Sequence, residues 1–186
     1  MNPPDKYSRT AMALHWLVAA FIFAGVVLIW CVDYVPDEQV RWVINTHKSI
    51  GITVLGLAIY RLAWRLTHTP PALPSSYSRR EQRASSLAHG LLYVLIFLMP
   101  LSGWLHDSAW KDAATHPMQI FGLFPWPRIG WIMSLEPGLK ESLHDVFGLV
   151  HTISGYGLYA LVALHVLAVV KHHVVDRESE MQRMLP

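Results

Sequence analysis

Apolar residues run along this chain in four long stretches, separated by polar or proline-rich breaks. The stretches cover about 11–32, 47–67, 86–105 and 144–171. Each is long enough to cross the roughly 30 Å apolar core of a bilayer as a helix. The pattern predicts an all-α membrane protein, a four-helix bundle forming one domain over 1–186. The first stretch is expected to stay in place as a span: it is long, opens on His15-Trp16 and lacks a small-x-small cleavage site. Between spans two and three, Thr69-Pro70-Pro71-Ala72-Leu73-Pro74 cannot be helical and reads as an extended connector. Residues 106–143 are the longest break. In and beside them stand Trp104, Trp110, Trp126 and Trp131, and the run Phe121-Gly122-Leu123-Phe124-Pro125. Aromatics mixed with prolines predict a segment lying at the membrane interface, or a lid packed over helix ends; the two are compatible.

Charge sets the expected orientation. With the N-terminus inside, the inner side carries Lys6, Arg9, Arg61, Arg65, Arg79, Arg80, Arg83, Lys171, Arg177 and Arg183, while the outer side carries only Arg41, Lys48, Lys111, Arg128 and Lys140. Ten cations against five follow the positive-inside rule, so both termini are expected in the cytoplasm. Composition agrees with a membrane chain: 53% of residues are hydrophobic and 15% charged. A net charge of +2 without a basic run gives no case for nucleic acid. The single cysteine, Cys31, excludes an internal disulfide and covalent haem attachment through Cys-x-x-Cys-His. Any haem must be held non-covalently.

The histidines then become the centre of the argument. His151 and His165 are fourteen residues apart in span four. That spacing puts both on one helix face, about 21 Å apart along the axis. Ionisable side chains at membrane depth are costly, and by default mark function. Sorting by depth pairs His47 with His151 near the outer side, and His15 with His165 near the inner side. Two such pairs suit two haems, each held between helices by one imidazole from either side. Gly51, Gly148 and Gly155 lie three or four residues from His47 and His151, where a flat macrocycle needs close backbone approach. His89 shares the inner depth. It reads as a substitute ligand, a hydrogen-bond partner for bound quinone, or plain packing. His68, His172 and His173 fall at the inner water boundary, and His106, His116 and His144 on the outer side. His144 precedes His151 by seven residues on the same face, so it is a candidate contact for an outer haem edge or substrate. Arg9, Arg61 and Arg65 are candidate partners for inner propionates, although positive-inside charge explains them equally. Lys48, next to His47, would pair with a propionate or draw an anion.

In this order the motifs resemble the bacterial cytochrome b561 family. They are Tyr7-Ser8-Arg9 with Leu14-His15-Trp16, His47-Lys48-Ser49-Ile50-Gly51, Arg61-Leu62-Ala63-Trp64-Arg65, Leu87-Ala88-His89, and His151 and His165 followed by Lys171-His172-His173. The resemblance covers nearly the whole chain. It implies a di-haem b cytochrome of the bacterial inner membrane that passes electrons between the periplasmic face and quinone. It implies iron ligands at His15, His47, His151 and His165, following the related cytochrome b subunits of formate dehydrogenase and nickel-iron hydrogenase. One branch of the family oxidises superoxide and reduces ubiquinone. The alternative expectation is a cytochrome b anchor relaying electrons for a separate periplasmic partner. A haem-free histidine relay would call for more polar residues along spans one to three.

Overall fold

The structure is a computed structural model that describes residues 6–74, 76–178 and 180–185. Its four long helices are α1 (Arg9–Cys31), α2 (Asp37–Thr67), α3 (Arg79–Ser108) and α5 (Pro137–Val174). All four are long and apolar enough to cross a membrane. The helices outrun the apolar stretches: α2 begins ten residues before the expected span, and α5 begins seven before and ends three after. Side-chain caps, not the first apolar side chain, mark the starts of α1, α3 and α5. The Ser8 hydroxyl accepts from the Ala11 N–H to start α1. Ser78 and Glu81 form a capping box at α3. Pro137 stands in the first turn of α5, where the Glu136 carboxylate accepts from the Leu139 N–H.

The bundle packs α1 along α2, α2 along α3, and α3 along α5. Ala58, Ile96 and Leu158 meet at its centre. Much of the remaining apolar surface points outward, including Phe23, Trp30, Ile59, Tyr156 and Leu164, as expected where lipid is the solvent. Ser8 also ties helices together, since its hydroxyl accepts from Trp64 Nε1 at 3.0 Å. A short C-terminal helix, α6 (Glu180–Met184), folds back on the start of α1. There Trp16 Nε1 donates to the Met184 carbonyl at 2.7 Å, and the Tyr7 N–H to the Arg183 carbonyl at 3.2 Å. Arg183 is buried and donates to the Ala72 carbonyl in the proline-rich connector.

The long break between α3 and α5 is ordered. It contains a two-stranded antiparallel hairpin, β1 (Gln119–Ile120) and β2 (Phe124–Pro125), and a one-turn helix, α4 (Gly130–Met133). Two interactions seat it on the bundle. Asp107, at the end of α3, bonds Lys48 Nζ at 2.6 Å and Arg128 Nε at 2.8 Å, with Asp107 and Arg128 both buried. Arg128 also donates to the carbonyls of Ala113 and His116. The second is Ser49 on α2, wholly buried, whose hydroxyl accepts the Phe121 N–H at 2.9 Å and lies 3.2 Å from the Gln119 carbonyl. Below it, Ile52 packs with Met118 and Ile120 between Trp104 and Trp126.

Removing one partner from a buried ion pair leaves charge without compensation, at a cost of about 3–5 kcal/mol. Asp107→Asn strands both Lys48 and Arg128. The variant is expected to unfold at lower temperature in detergent, and limited proteolysis to cut first within 109–134. An unchanged melting temperature would show that the triad does not hold this segment.

Candidate cofactor sites

The bundle brings the sequence-derived histidine pairs together at opposite ends. His47 on α2 faces His151 on α5 with ring centroids 6.2 Å apart. His15 on α1 faces His165 on α5 at 6.3 Å. Neither pair is hydrogen-bonded to itself among the described residues. Two nitrogens each about 2 Å from one shared metal place ring centroids roughly 6 Å apart. Because α5 is one unbroken helix, its two imidazoles keep the axial separation of about 21 Å that their spacing implies.

The rings at the His47 end are held in a defined state. His47 Nδ1 lies 3.0 Å from the Gly25 carbonyl of α1. His151 Nδ1 lies 3.0 Å from the Met99 carbonyl and 3.2 Å from the Ser102 hydroxyl of α3. A carbonyl only accepts, so each Nδ1 carries the proton and each neutral ring keeps the lone pair of Nε2 for a ligand bond. The polypeptide also leaves space for these rings. A Cβ at Gly103 would stand 3.1 Å from His151 Cε1; at Gly25 the close neighbour is Ile50 Cγ2, at 3.3 Å, with His47 Nδ1 at an ordinary 3.8 Å. Met99, Ser102, Gly103 and Gly25 were not singled out from sequence. A glycine or serine in a membrane helix is too common to mark a site until its opposite neighbour is known.

The glycines expected to flank a macrocycle divide. A Cβ at Gly51 would meet nothing within 4 Å, so the backbone there borders open space. Gly148 instead makes room for His106, whose Cε1 would lie 3.0 Å from an added Cβ, and Gly155 faces Met99. His106 and His144, expected at the water boundary, are half-buried and stack with centroids 3.8 Å apart. Each Nδ1 bonds the other's backbone carbonyl, at 2.9 and 3.0 Å. Lys48, expected to pair with a propionate or to draw an anion, is bonded by Asp107. The reason is tertiary: Asp107 reaches Lys48 across 59 positions of sequence.

At the other end three imidazoles converge. His89 on α3 stands 5.5 Å from His165, closer than His15 does, and its Nδ1 bonds the Ser85 carbonyl at 2.7 Å. His89 is exposed, whereas His15 and His165 are half-buried. Arg61 lies nearby on α2, with Nε 3.4 Å from the Tyr93 hydroxyl and its guanidinium over the Tyr93 ring. Arg9 is exposed in the first turn of α1. Past the end of α5, Asp176 accepts from Lys171 at 2.7 Å and bonds His172 at 2.6 Å. The Lys171 bond, then the His172 bond, hold its carboxyl below the usual carboxylate range. Glu81, His172 and Asp176 come within metal-ligating distance of one another, but the Lys171 ammonium bonds both carboxylates and so already supplies the cation.

Four apolar helices with two facing imidazole pairs, one of them tautomer-fixed, have the donor set of a membrane cytochrome of the b type. The chain belongs to the prokaryotic cytochrome b561 family, whose model matches residues 6–186. It is 30% identical to cytochrome b561 homolog 2 of Escherichia coli strain K12, over 99% of this chain and 93% of that one. It is 26% identical to a protein named probable superoxide oxidase CybB from Yersinia pestis, over 97% and 96%. Cytochrome b561 homolog 1 of E. coli is 22% identical over 98% of each. Membership makes the chain a multi-pass bacterial membrane protein for electron transfer, and implies b-type haem.

The space at Gly103 generates a direct test. Gly103→Ala forces the His151 ring to move, so haem absorbance per chain is expected to fall by up to half. Gly56→Ala, whose Cβ would meet nothing within 4 Å, is the matched control. Equal haem content in both variants would show that His151 does not need this clearance.

Proposed function

We propose that this chain carries electrons across the bacterial inner membrane by means of two b-type haems, between an outer donor and membrane quinone. The observation that supports it above all is the pair of facing imidazole pairs, 6.2 and 6.3 Å apart, at opposite ends of one bundle. His47 and His151 would hold one haem, and His15 and His165 the other. Each haem would supply a reversible one-electron iron couple, tuned by the histidines that hold it and by their hydrogen bonds. The residues do the rest. Gly25, Met99 and Ser102 fix the protonation state of the ligands at the His47 end. The apolar helices half-bury all four imidazoles. Arg61 stands at the second site as a partner for propionate, and Arg9 as a further candidate from the start of α1. His89 is placed to bond quinone or the haem surroundings beside His165.

The charge count of the sequence supports both termini in the cytoplasm, which makes the His47 end periplasmic. Superoxide is the donor we favour, on the name of the Y. pestis relative and on the local charge. Lys48 and Arg128 against Asp107 leave one net positive charge beside His47, and Lys48 is the member that solvent reaches, with 24% of its side chain exposed. His144, stacked on His106 at this end, is a candidate contact at the entrance. Each superoxide oxidised to dioxygen yields one electron, and quinone takes two electrons with two protons.

Three measurements test this reading. Purified chain should show low-spin b-type spectra with two haems per polypeptide; a single haem or none would overturn it. His47→Ala or His151→Ala should remove one spectral component, and His15→Ala or His165→Ala the other. Loss of a haem in His89→Ala, with its retention in His15→Ala, would move the ligand role to His89. Superoxide should drive quinone-analogue reduction by the isolated chain, and Lys48→Met should slow it by about tenfold at low salt. Turnover that appears only with a co-purified periplasmic protein would make the chain an anchor subunit instead.

A further inference from the structure

We propose that the hairpin region Pro117–Pro127 is a re-entrant wedge, with the Phe121, Leu123 and Phe124 side chains lying among lipid acyl chains in the leaflet at the His47 end. Depth is the first reason. His47 bonds the Gly25 carbonyl, so Gly25 marks the depth of His47 on α1. From there α1 runs six more residues toward the same end, Val26 to Cys31, none of them charged. That is about 9 Å of further helix. Val27, Ile29 and Trp30 are exposed along it, so lipid must reach at least that level. The hairpin is anchored deeper than His47. Its contacts on α2 are Ser49 and Ile52, two and five residues farther into the bundle.

Backbone chemistry is the second reason. Irregular backbone survives at membrane depth only where its polar groups are satisfied within the protein. Pro117–Pro127 contains no charged residue, and three of its positions are proline and carry no N–H. The Leu123 N–H bonds the Ile120 carbonyl, and the Trp126 N–H the Met118 carbonyl. Ser49 supplies the acceptor for the Phe121 N–H and stands within reach of the Gln119 carbonyl. A buried serine on the side of α2 away from His47 has no role in ligation, and this is the use the structure makes of it.

The turn is the third reason. Phe121 has φ 50° and Gly122 φ 72°. Two left-handed residues give the tight turn of a hairpin, but an aromatic residue in that region is strained. The conformation turns Phe121, Leu123 and Phe124 outward, 46%, 80% and 51% exposed. Facing water, these would form an uncovered apolar patch. At the depth of Ser49 the surrounding solvent is hydrocarbon.

The test uses the full chain in lipid vesicles with a nitroxide at Leu123→Cys in a Cys31→Ser background. Power saturation then compares collision with dissolved oxygen, which concentrates in hydrocarbon, and with a water-soluble nickel chelate. Labels at Val27→Cys and Lys111→Cys mark the lipid and water limits. Leu123 is expected to match Val27, with oxygen favoured. A match to Lys111 would put the hairpin in water, and exclusion of both reagents would mean that a second protein surface covers it; either result overturns the proposal. Phe124→Cys repeats the measurement should the first label disturb the fold. The readout does not depend on haem, so it stands or falls apart from the function proposed above.

Discussion

No water reaches the middle of a bilayer, so every backbone N–H and carbonyl there must find a partner inside the protein. That constraint shapes the whole molecule. It makes the crossings helical, and it requires of the hairpin we place in lipid that its backbone be braced, as Ser49 braces it. It also gives the few polar side chains at depth a structural duty along with a chemical one. His47 joins α2 to α1 through the Gly25 carbonyl, and His151 joins α5 to α3 through the Met99 carbonyl. The same bonds that tie the helices fix the protonation state of the rings, so architecture and imidazole chemistry are set by one interaction.

The two ends of the bundle are built differently. At the His47 end each imidazole has a backbone or hydroxyl partner, Gly103 makes room for His151, and a buried triad of Lys48, Asp107 and Arg128 closes the helix ends. At the His15 end three imidazoles, Arg61 and Tyr93 share a less enclosed region. Of those three rings, only His89 has its Nδ1 bonded among the described residues.

Much of this was legible in the sequence, because it rests on local periodicity. Apolar stretches gave the four crossings. Residue spacing and chain direction gave the histidine depths, and with them both pairs. What stayed hidden was set by contacts remote in sequence. Asp107 is an ordinary helix-end carboxylate until folding brings it to Lys48 and Arg128. Gly103 looks like any membrane-helix glycine until His151 stands against it. Two-residue strands carry too short a pattern to read, and the helix ends extend past the apolar run because capping decides them. Gly148 shows the opposite error: correctly spaced from His151, it serves His106.

One helix, α5, carries a member of each histidine pair without a break between them. It contains no proline after its first turn, and its Gly155 and Gly157 lie against side chains of α3. It therefore acts as a rigid spacer bar. Its two histidines cannot move closer or farther apart without unwinding hydrogen-bonded turns in hydrocarbon, so any motion of this helix carries both together. Electron tunnelling falls off steeply with distance. For the two haems we propose, a fixed bar makes the internal transfer rate a constant of the fold, leaving regulation to whatever arrives at either end.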